Sequence, residues 1–379
     1  MNVIETTQNL VRIPSVNPGY DPTSRGEIDV AKWLLSWAAE HGFEVDTQEV
    51  FLGRVNVIIR FRNGSEHPHL LLNGHMDTVA VDGMTIPPFG GEVRDGRLYG
   101  RGSTDMKGAL ACMLHALVAL RSDPSRWRGT VTVACVVDEE LGFAGIRHFL
   151  KVENAFDFAV VGEPTRFEVV RGCKGCLRFY IRGHGKSAHS STPEKGVSAI
   201  SAMSRAVTAM DRYFLESLAA IRHDSLGVST GSVGTIRGGS GVNIVPEFCE
   251  TSVDIRLVPG QSWEETYAKV KEIVSGEAGG VRWEFDTNPL ADPPFCLDEE
   301  HPMLRAVCAT AGRPHSQVVS YSCDASKIAT AGIPCVIFGP GDIARAHTAD
   351  ESIATEDLHQ GVAHYVRIAE ALLPAEKGD

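Results

Sequence analysis

Residues 130–140 read TVTVACVVDEE, eight residues of nearly unbroken apolar or β-branched character followed by three acids. A strand covered on both faces looks like this, because neither face needs polar residues for water. The same design recurs at 69–77 (HLLLNGHMD), at 158–164 (FAVVGEP) and at 334–342 (PCVIFGPGD). Helical patterns lie among these runs. Residues 27–42 (EIDVAKWLLSWAAEHG) form an amphipathic helix ended by Gly42, and 106–121 (MKGALACMLHALVALR) are apolar enough for a helix packed on a sheet. VNVIIRF at 55–61 adds another strand-like run. Strands alternating with helices imply an α/β layer with a mostly parallel sheet.

The middle of the chain has a different pattern. CLRFYIRG (176–183) alternates like a half-exposed strand, and a long helix follows at about 196–219. Strand-like stretches come at 229–236 and 249–257, then a helix at 262–276 with a capping box of Ser262 and Glu265, then a strand at 281–287. This β-α-β-β-α-β order points to an inserted ferredoxin-like α+β domain. One domain is therefore expected at 1–172 and 290–379, with a second at 173–289 inserted in it.

Composition narrows the class. At 379 residues the chain is long enough for two domains, and 43% hydrophobic with 22% charged residues is globular. A formal net charge of −12 argues against a nucleic-acid partner, since phosphate binding rests on clustered Lys and Arg. The start, MNVIETTQNLVRIPS, lacks a basic segment followed by an apolar one, and no apolar run reaches the length of a membrane span. Nine scattered cysteines, several inside apolar runs, read as buried thiols. A cytoplasmic protein with a frayed tail at 374–379 is expected. Two partial motifs fail. Gly185-Lys186-Ser187 lacks the phosphate-loop glycine at position 180, where Tyr180 stands, and Gly100-Arg101-Gly102 has Asp105 where a dinucleotide motif needs its third glycine. No Gly-x-Ser-x-Gly elbow is present.

The chemistry gathers at the strand ends. HLLLNG leads to His75 and Asp77, TVTVACVV to Asp138, Glu139 and Glu140, FAVVG to Glu163, and PCVIFGPG to Asp342 and then His347. YGRGSTDMKG sets Asp105 at a Gly-rich turn before a helix. In open parallel sheets, ligands bind outside the carboxyl ends of the strands. Singly, each piece has an ordinary reading as a turn or a solvated loop. Together they crowd carboxylates that would repel unless a cation lies between them. Two imidazoles with three or more carboxylates suit Zn²⁺, one ion or two per chain, and also Co²⁺ or Mn²⁺. A bridging Asp can hold two ions about 3.5–4 Å apart.

The segments GHMDTV, YGRGSTDMKG, DEELGFAG, GEPT and AHTADE resemble the metallopeptidase family of acetylornithine deacetylase, succinyl-diaminopimelate desuccinylase, aminoacylase and glutamate carboxypeptidase, in that family's order along almost the whole chain. The resemblance implies a zinc-hydrolase catalytic domain and an inserted lid that forms a homodimer. It makes Asp105 the bridge between two metals, with His75 and Glu163 completing one set and Glu140 and His347 the other. Glu139 becomes the general base, Asp77 the residue that orients His75, and the peptide after Asp105 a strained one. In the lid, His189 corresponds to the oxyanion-stabilising histidine that reaches the partner subunit's site, while Asn243 and Arg256 match positions that grip a substrate carboxylate.

The implied reaction is hydrolysis of an amide in a small N-acylated amino acid, with acetyl the expected acyl group and N-acetylornithine or a relative the expected substrate. The alternatives are a dipeptidase or carboxypeptidase using the same site, and a non-catalytic metal-stabilised binding protein. Ser322-Cys323-Asp324-Ala325 departs from the run expected of a desuccinylase. Cys173-Lys174-Gly175 stands where acetylornithine deacetylases carry His-Lys-Gly.

Overall fold

The structure, a computed structural model, describes residues 1–277 and 279–375, so the tail expected to fray lies outside the described residues from 376 on. The chain divides into two compact units. The first comprises Met1–Arg171, Leu297–Gln317 and the chain from Cys323; the second comprises Gly172–Cys296 and Val318–Ser322.

The sheet of the first unit runs in the order Glu44–Phe51, Arg54–Asn63, Gly129–Val136, His69–His75, Phe158–Val161, Cys335–Ile337, and then Val170. Its four central strands, from Gly129–Val136 to Cys335–Ile337, are mutually parallel, and the flanking strands pair antiparallel. The mostly parallel α/β layer expected from the sequence is therefore what forms. Every residue of His69–His75 and of Gly129–Val136 is buried, as two-sided cover requires. Their register pairs His75 with Val136 and Asn73 with Val161. The loops that follow three neighbouring strands thus leave the sheet at one level.

Four long helices cover this sheet's apolar residues: Val3–Arg12, Ile28–Glu40, Gly108–Ser122 and Thr355–Leu372. They contribute Leu10, Leu34, Trp37, Leu114 and Tyr365 to one core with Val57, Leu72, Val133 and Val160. The first of them, which the sequence pattern did not announce, begins in a capping box of Asn2 and Glu5. The helix expected from 106 starts two residues later, because Asp105 and Met106 hold non-helical angles and their shared peptide is cis. No helix among the described residues is long and apolar enough to cross a membrane.

The second unit is built from Gly175–His184, Ala199–Tyr213, Thr230–Gly238, Phe248–Leu257, Trp263–Gly276 and Arg282–Phe285. Its strands align as Thr230–Gly238, Phe248–Leu257, Gly175–His184, Arg282–Phe285, all antiparallel, which is the split β-α-β arrangement. The two helices pack Met203, Met210, Val270 and Val274 against Leu177, Phe179, Val253 and Ile255. In the first unit, Leu297 N–H donates to the Arg171 carbonyl at 2.7 Å, so the chain leaves for this excursion and returns from it at one rung.

Candidate metal centre

His75, the last residue of its strand, is 1% exposed. Its Nε2 lies 3.0 Å from Asp105 Oδ1 and 3.9 Å from Glu139 Oε2. Its Nδ1 lies 3.0 Å from the Asp77 carbonyl oxygen and 3.4 Å from Asp77 Oδ1, so Asp77 meets the ring through its backbone as well as its carboxylate. The Asp77 carboxylate also accepts the backbone N–H groups of Glu139 (3.1 Å) and Glu140 (3.2 Å). One buried side chain thereby joins the turn after His75 to the acidic turn beside it.

Asn17 extends that link. It is 1% exposed, and its amide nitrogen donates to Asp77 Oδ2 (2.8 Å) and Asp138 Oδ1 (2.9 Å). Behind it, Arg54 pairs with Glu27 at 2.6 Å, and Glu27 accepts the Asp138 backbone N–H at 3.0 Å.

On the other side, His347 Nε2 lies 3.1 Å from Glu140 Oε1 and 3.3 Å from Asp105 Oδ2. His347 has φ +60 and a half-exposed side chain. Two groups of donors bring their ligand atoms within 4.8 Å of one another: His75, Asp105 and Glu140, and His75, Glu139 and Glu163. His75 belongs to both, and Glu139 rather than Asp105 sits with Glu163 in the second.

The proton affinities of these groups show what the donor set suits. Burial, then the charge of Glu163, pushes Glu139 well above the usual carboxylate range, and burial, then Asp105, does the same to Glu163. Burial and Asp105 raise Glu140 to about 7. Burial alone would lower His75, but hydrogen bonds to Asp105 and Asp77 outweigh it and raise the ring well above its ordinary value. Hydrogen bonds to Asp105 and Glu140 raise His347 to about 10. Asp105 is held low against its burial by His347 and His75. Carboxylates so placed would repel one another when ionised, and a cation among them removes that cost. Glu163 Oε1 is buried with no hydrogen-bond partner among the described residues, the condition of an oxygen built to face a metal. The donor set is nitrogen and carboxylate oxygen, and it fits one or two divalent ions of the zinc type.

Other residues in the pocket carried no sequence signal of their own. Asp324 is buried, and its charge bears on Glu139 and Glu163. Lys107 is fully buried, burial lowers it to about 7, and its Nζ donates to the Ile13 carbonyl at 2.8 Å. Arg101 and Glu351 form a buried pair at 2.7 Å. Arg101, Lys107 and Glu351 lie in the YGRGSTDMKG and AHTADE stretches, whereas Asn17 and Asp324 become recognisable only through their contacts.

The three remaining candidates lie in the second unit. His189 is exposed on a two-residue strand, Ala188–His189, paired with Ile244–Val245. Asn243 is beside it, its carbonyl accepting the Ser190 N–H at 3.0 Å. The Ser191 backbone N–H donates to His189 Nδ1 at 3.1 Å, so the neutral ring carries its proton on Nε2. Arg256, on Phe248–Leu257, directs its Nε to Asp254 Oδ1 at 2.8 Å.

Known proteins match this sequence and fold. The sequence profile of the family described as Peptidase family M20/M25/M40 matches residues 71–371. A curated relative from Proteus mirabilis, named acetylornithine deacetylase, is 32% identical over 367 residues, covering 92% of this chain and 91% of its own. The crystal structure of aminopeptidase PepT from Bacillus cereus superposes with a TM-score of 0.80 at 24% identity, covering 98% of both chains. The Bacillus subtilis YXEP protein, described as a dinuclear metal-binding peptidase of the M20 family, superposes at 0.73 with 17% identity, covering 98% of this chain and 97% of that one.

Proposed function

The chain belongs to peptidase family M20/M25/M40 and is a metal-dependent hydrolase of amide bonds, and we propose that its reaction is removal of an acyl group, acetyl, from an N-acyl-L-amino acid such as N-acetylornithine or a relative. The observation that carries the reading is the pair of donor groups sharing buried His75, with Glu163 Oε1 lacking any other partner. The deacetylase name of the Proteus mirabilis relative supports the choice of acyl transfer over peptide trimming.

In this proposal Asp105 faces both ions, which are Zn²⁺ with Co²⁺ or Mn²⁺ as substitutes. His75 and Glu163 complete one set, and Glu140 and His347 the other. When bound, the ions polarise the scissile carbonyl and lower the pKa of a water molecule. Glu139 takes a proton from the attacking water and delivers it to the leaving amine, a transfer worth about 10²–10⁴ in rate. Asp77 keeps His75 Nε2 directed into the pocket by engaging its other nitrogen.

The second unit supplies the remaining roles. His189, with its proton on Nε2, is a ready donor to a developing oxyanion. Asn243 and Arg256 receive the substrate carboxylate, for which a guanidinium fork is well suited. The unit is assigned as a lid that forms the homodimer. Thr230–Gly238 supports this as the outermost strand of its sheet, and Ile236 on it is 53% exposed. The proposal includes a cytoplasmic location, which nine cysteines suit.

Release of primary amine from N-acetyl, N-succinyl and dipeptide substrates tests this reading, with chelator-stripped protein compared to protein given back Zn²⁺ or Co²⁺. Metal-restored cleavage of N-acetyl amino acids is the expected result. Preference for dipeptides would replace deacylase by peptidase, and inactivity toward every substrate with metal bound would leave a binding protein.

A further inference from the structure

Glu351 belongs to neither donor group, yet its side chain is fully buried beside one of them. Its Oε1 accepts the backbone N–H groups of Thr104 (3.0 Å) and Asp105 (3.2 Å). Its Oε2 accepts from Arg101 Nη1 at 2.7 Å, and its own carbonyl accepts the Gly100 N–H at 3.0 Å. The Arg101 guanidinium reaches onward to the carbonyls of Thr348 (3.4 Å) and Ala80 (3.1 Å). One ion pair therefore holds three loops: the one after His75 and Asp77, the one bearing Asp105, and the one running from His347 to Glu351.

The need for such a device is local. Asp105 has φ −124 and ψ 94, outside the helical range, so the regular bonds of the helix that follows do not fix it. Its amide and that of Thr104 are buried and would lose their acceptor without Glu351. His347, at the other end of the clamp, has a left-handed backbone (φ +60) that nothing in its residue type enforces.

We propose that Glu351 is a positioning residue that, through the Thr104 and Asp105 amides and through Arg101, sets Asp105 and His347 in register with Glu140 to hold one of the two ions. This rests on the metal reading above and goes beyond it, because it assigns separate supports to different ligands. Asp77 ties the acidic turn of Glu139 and Glu140 to His75, whereas Glu351 ties Asp105 to the His347 loop. Because Asp105 faces both ions in that reading, loss of the Glu351 clamp disturbs most the ion that depends on both Asp105 and His347, together with Glu140. The ion at His75 and Glu163 shares only Asp105 with the clamp and is disturbed less.

Calorimetric titration of chelator-stripped protein with Zn²⁺, for wild type and Glu351→Gln, tests this directly. Glutamine cannot serve both sides, because an oxygen turned to the amides leaves its NH₂ facing Arg101. The expected result is one binding step weakened about 10–100-fold, the scale for groups that orient metal ligands, with the other step weakened at least about threefold less. Both steps unchanged would overturn the proposal. So would both weakened equally with a lowered melting temperature of the metal-free protein, since that is what a general structural role predicts. If Glu351→Gln does not fold, Arg101→Lys carries the same expectations, because it keeps the charge and loses the fork that spans the loops. A wild type that binds no Zn²⁺ would overturn the metal reading itself. Two steps in wild type and two unchanged steps in the variant would sink this assignment alone.

Discussion

Asn17 satisfies two carboxylates with one amide nitrogen, and it does so in a pocket where an added cation would compete with the metal. A neutral donor stabilises Asp77 and Asp138 without adding positive charge next to His75. Glu139 presents the opposite case, a buried acid with a strongly raised proton affinity whose neighbours include a second acid, Glu163. Replacing Glu139 by Gln keeps its shape while removing its ability to accept a proton. The expected outcome is metal content near wild type and kcat lower by about 10²-fold or more, read by elemental analysis and steady-state kinetics. Near-normal turnover would remove Glu139 from the proton transfer. The members of the two donor groups were legible at this scale because His75, Glu139, Glu140 and Glu163 follow apolar runs in the sequence and Asp105 lies in a Gly-rich turn. Asn17 and Asp324 were not, since an isolated Asn or Asp has no local pattern and gains its meaning from partners 60 or more residues away, as Asn17 does with Asp77.

The strands are held level by close approaches that leave no room for side chains. At Gly145, in the first turn of Ala144–Val152, an added Cβ would lie 2.2 Å from the Val137 carbonyl oxygen and 2.6 Å from its nitrogen. Both atoms are backbone and belong to the residue just before the acidic turn, so relief requires moving the helix or the turn. Gly145→Ala is therefore expected to destabilise the protein by about 1–3 kcal/mol, measurable as a lower urea midpoint with an unchanged slope. An unaltered midpoint would show that the helix can shift freely. Periodicity located the six main elements of the second unit, the central strands of the first and two of its four long helices. It placed the helix after Asp105 two residues early, because apolar pattern does not register the non-helical backbone at Asp105 and Met106. It passed over Thr355–Leu372 and Val3–Arg12, the latter because two threonines, Thr6 and Thr7, stand on its buried face beside Val3, Leu10 and Val11.

For the molecule as a whole, acid acts on the first unit through three buried or half-buried histidines. Burial lowers His69 to about 4, and the same cause lowers His115 and His364 to about 4. Their unfolded values are near 6.5, so between about 4 and 6.5 the unfolded chain binds more protons than the folded one. The stability these neutral rings permit is complete above about pH 6.5 and is lost as pH falls toward 4. Glu139, Glu140, Glu163, His75 and His347, whose proton affinities are raised, act in the opposite sense over this range. The rings are therefore read by difference: the melting temperature of His69→Gln relative to wild type should be higher at pH 5 than at pH 7, both without metal. The same difference at the two pH values would show that His69 does not contribute to acid sensitivity. Working without metal matters, because protonation of His75 would otherwise add ion release to the same transition. The two-unit plan could be read from the change in strand periodicity near residue 176. The exact partition could not, because Val318–Ser322 joins the second unit through contacts that no sequence period reveals.

The rung between Arg171 and Leu297 has a further consequence, for how such a protein can change over generations. A segment whose two ends meet on neighbouring backbone places little demand on its host, which closes beneath it by one hydrogen bond. Residues 172–296 can lengthen or shorten at their surface loops without moving the strand ends that carry His75, Glu139 and Glu163. Selection can therefore revise much of that segment in one part of the gene while the donor groups are inherited unaltered in the other.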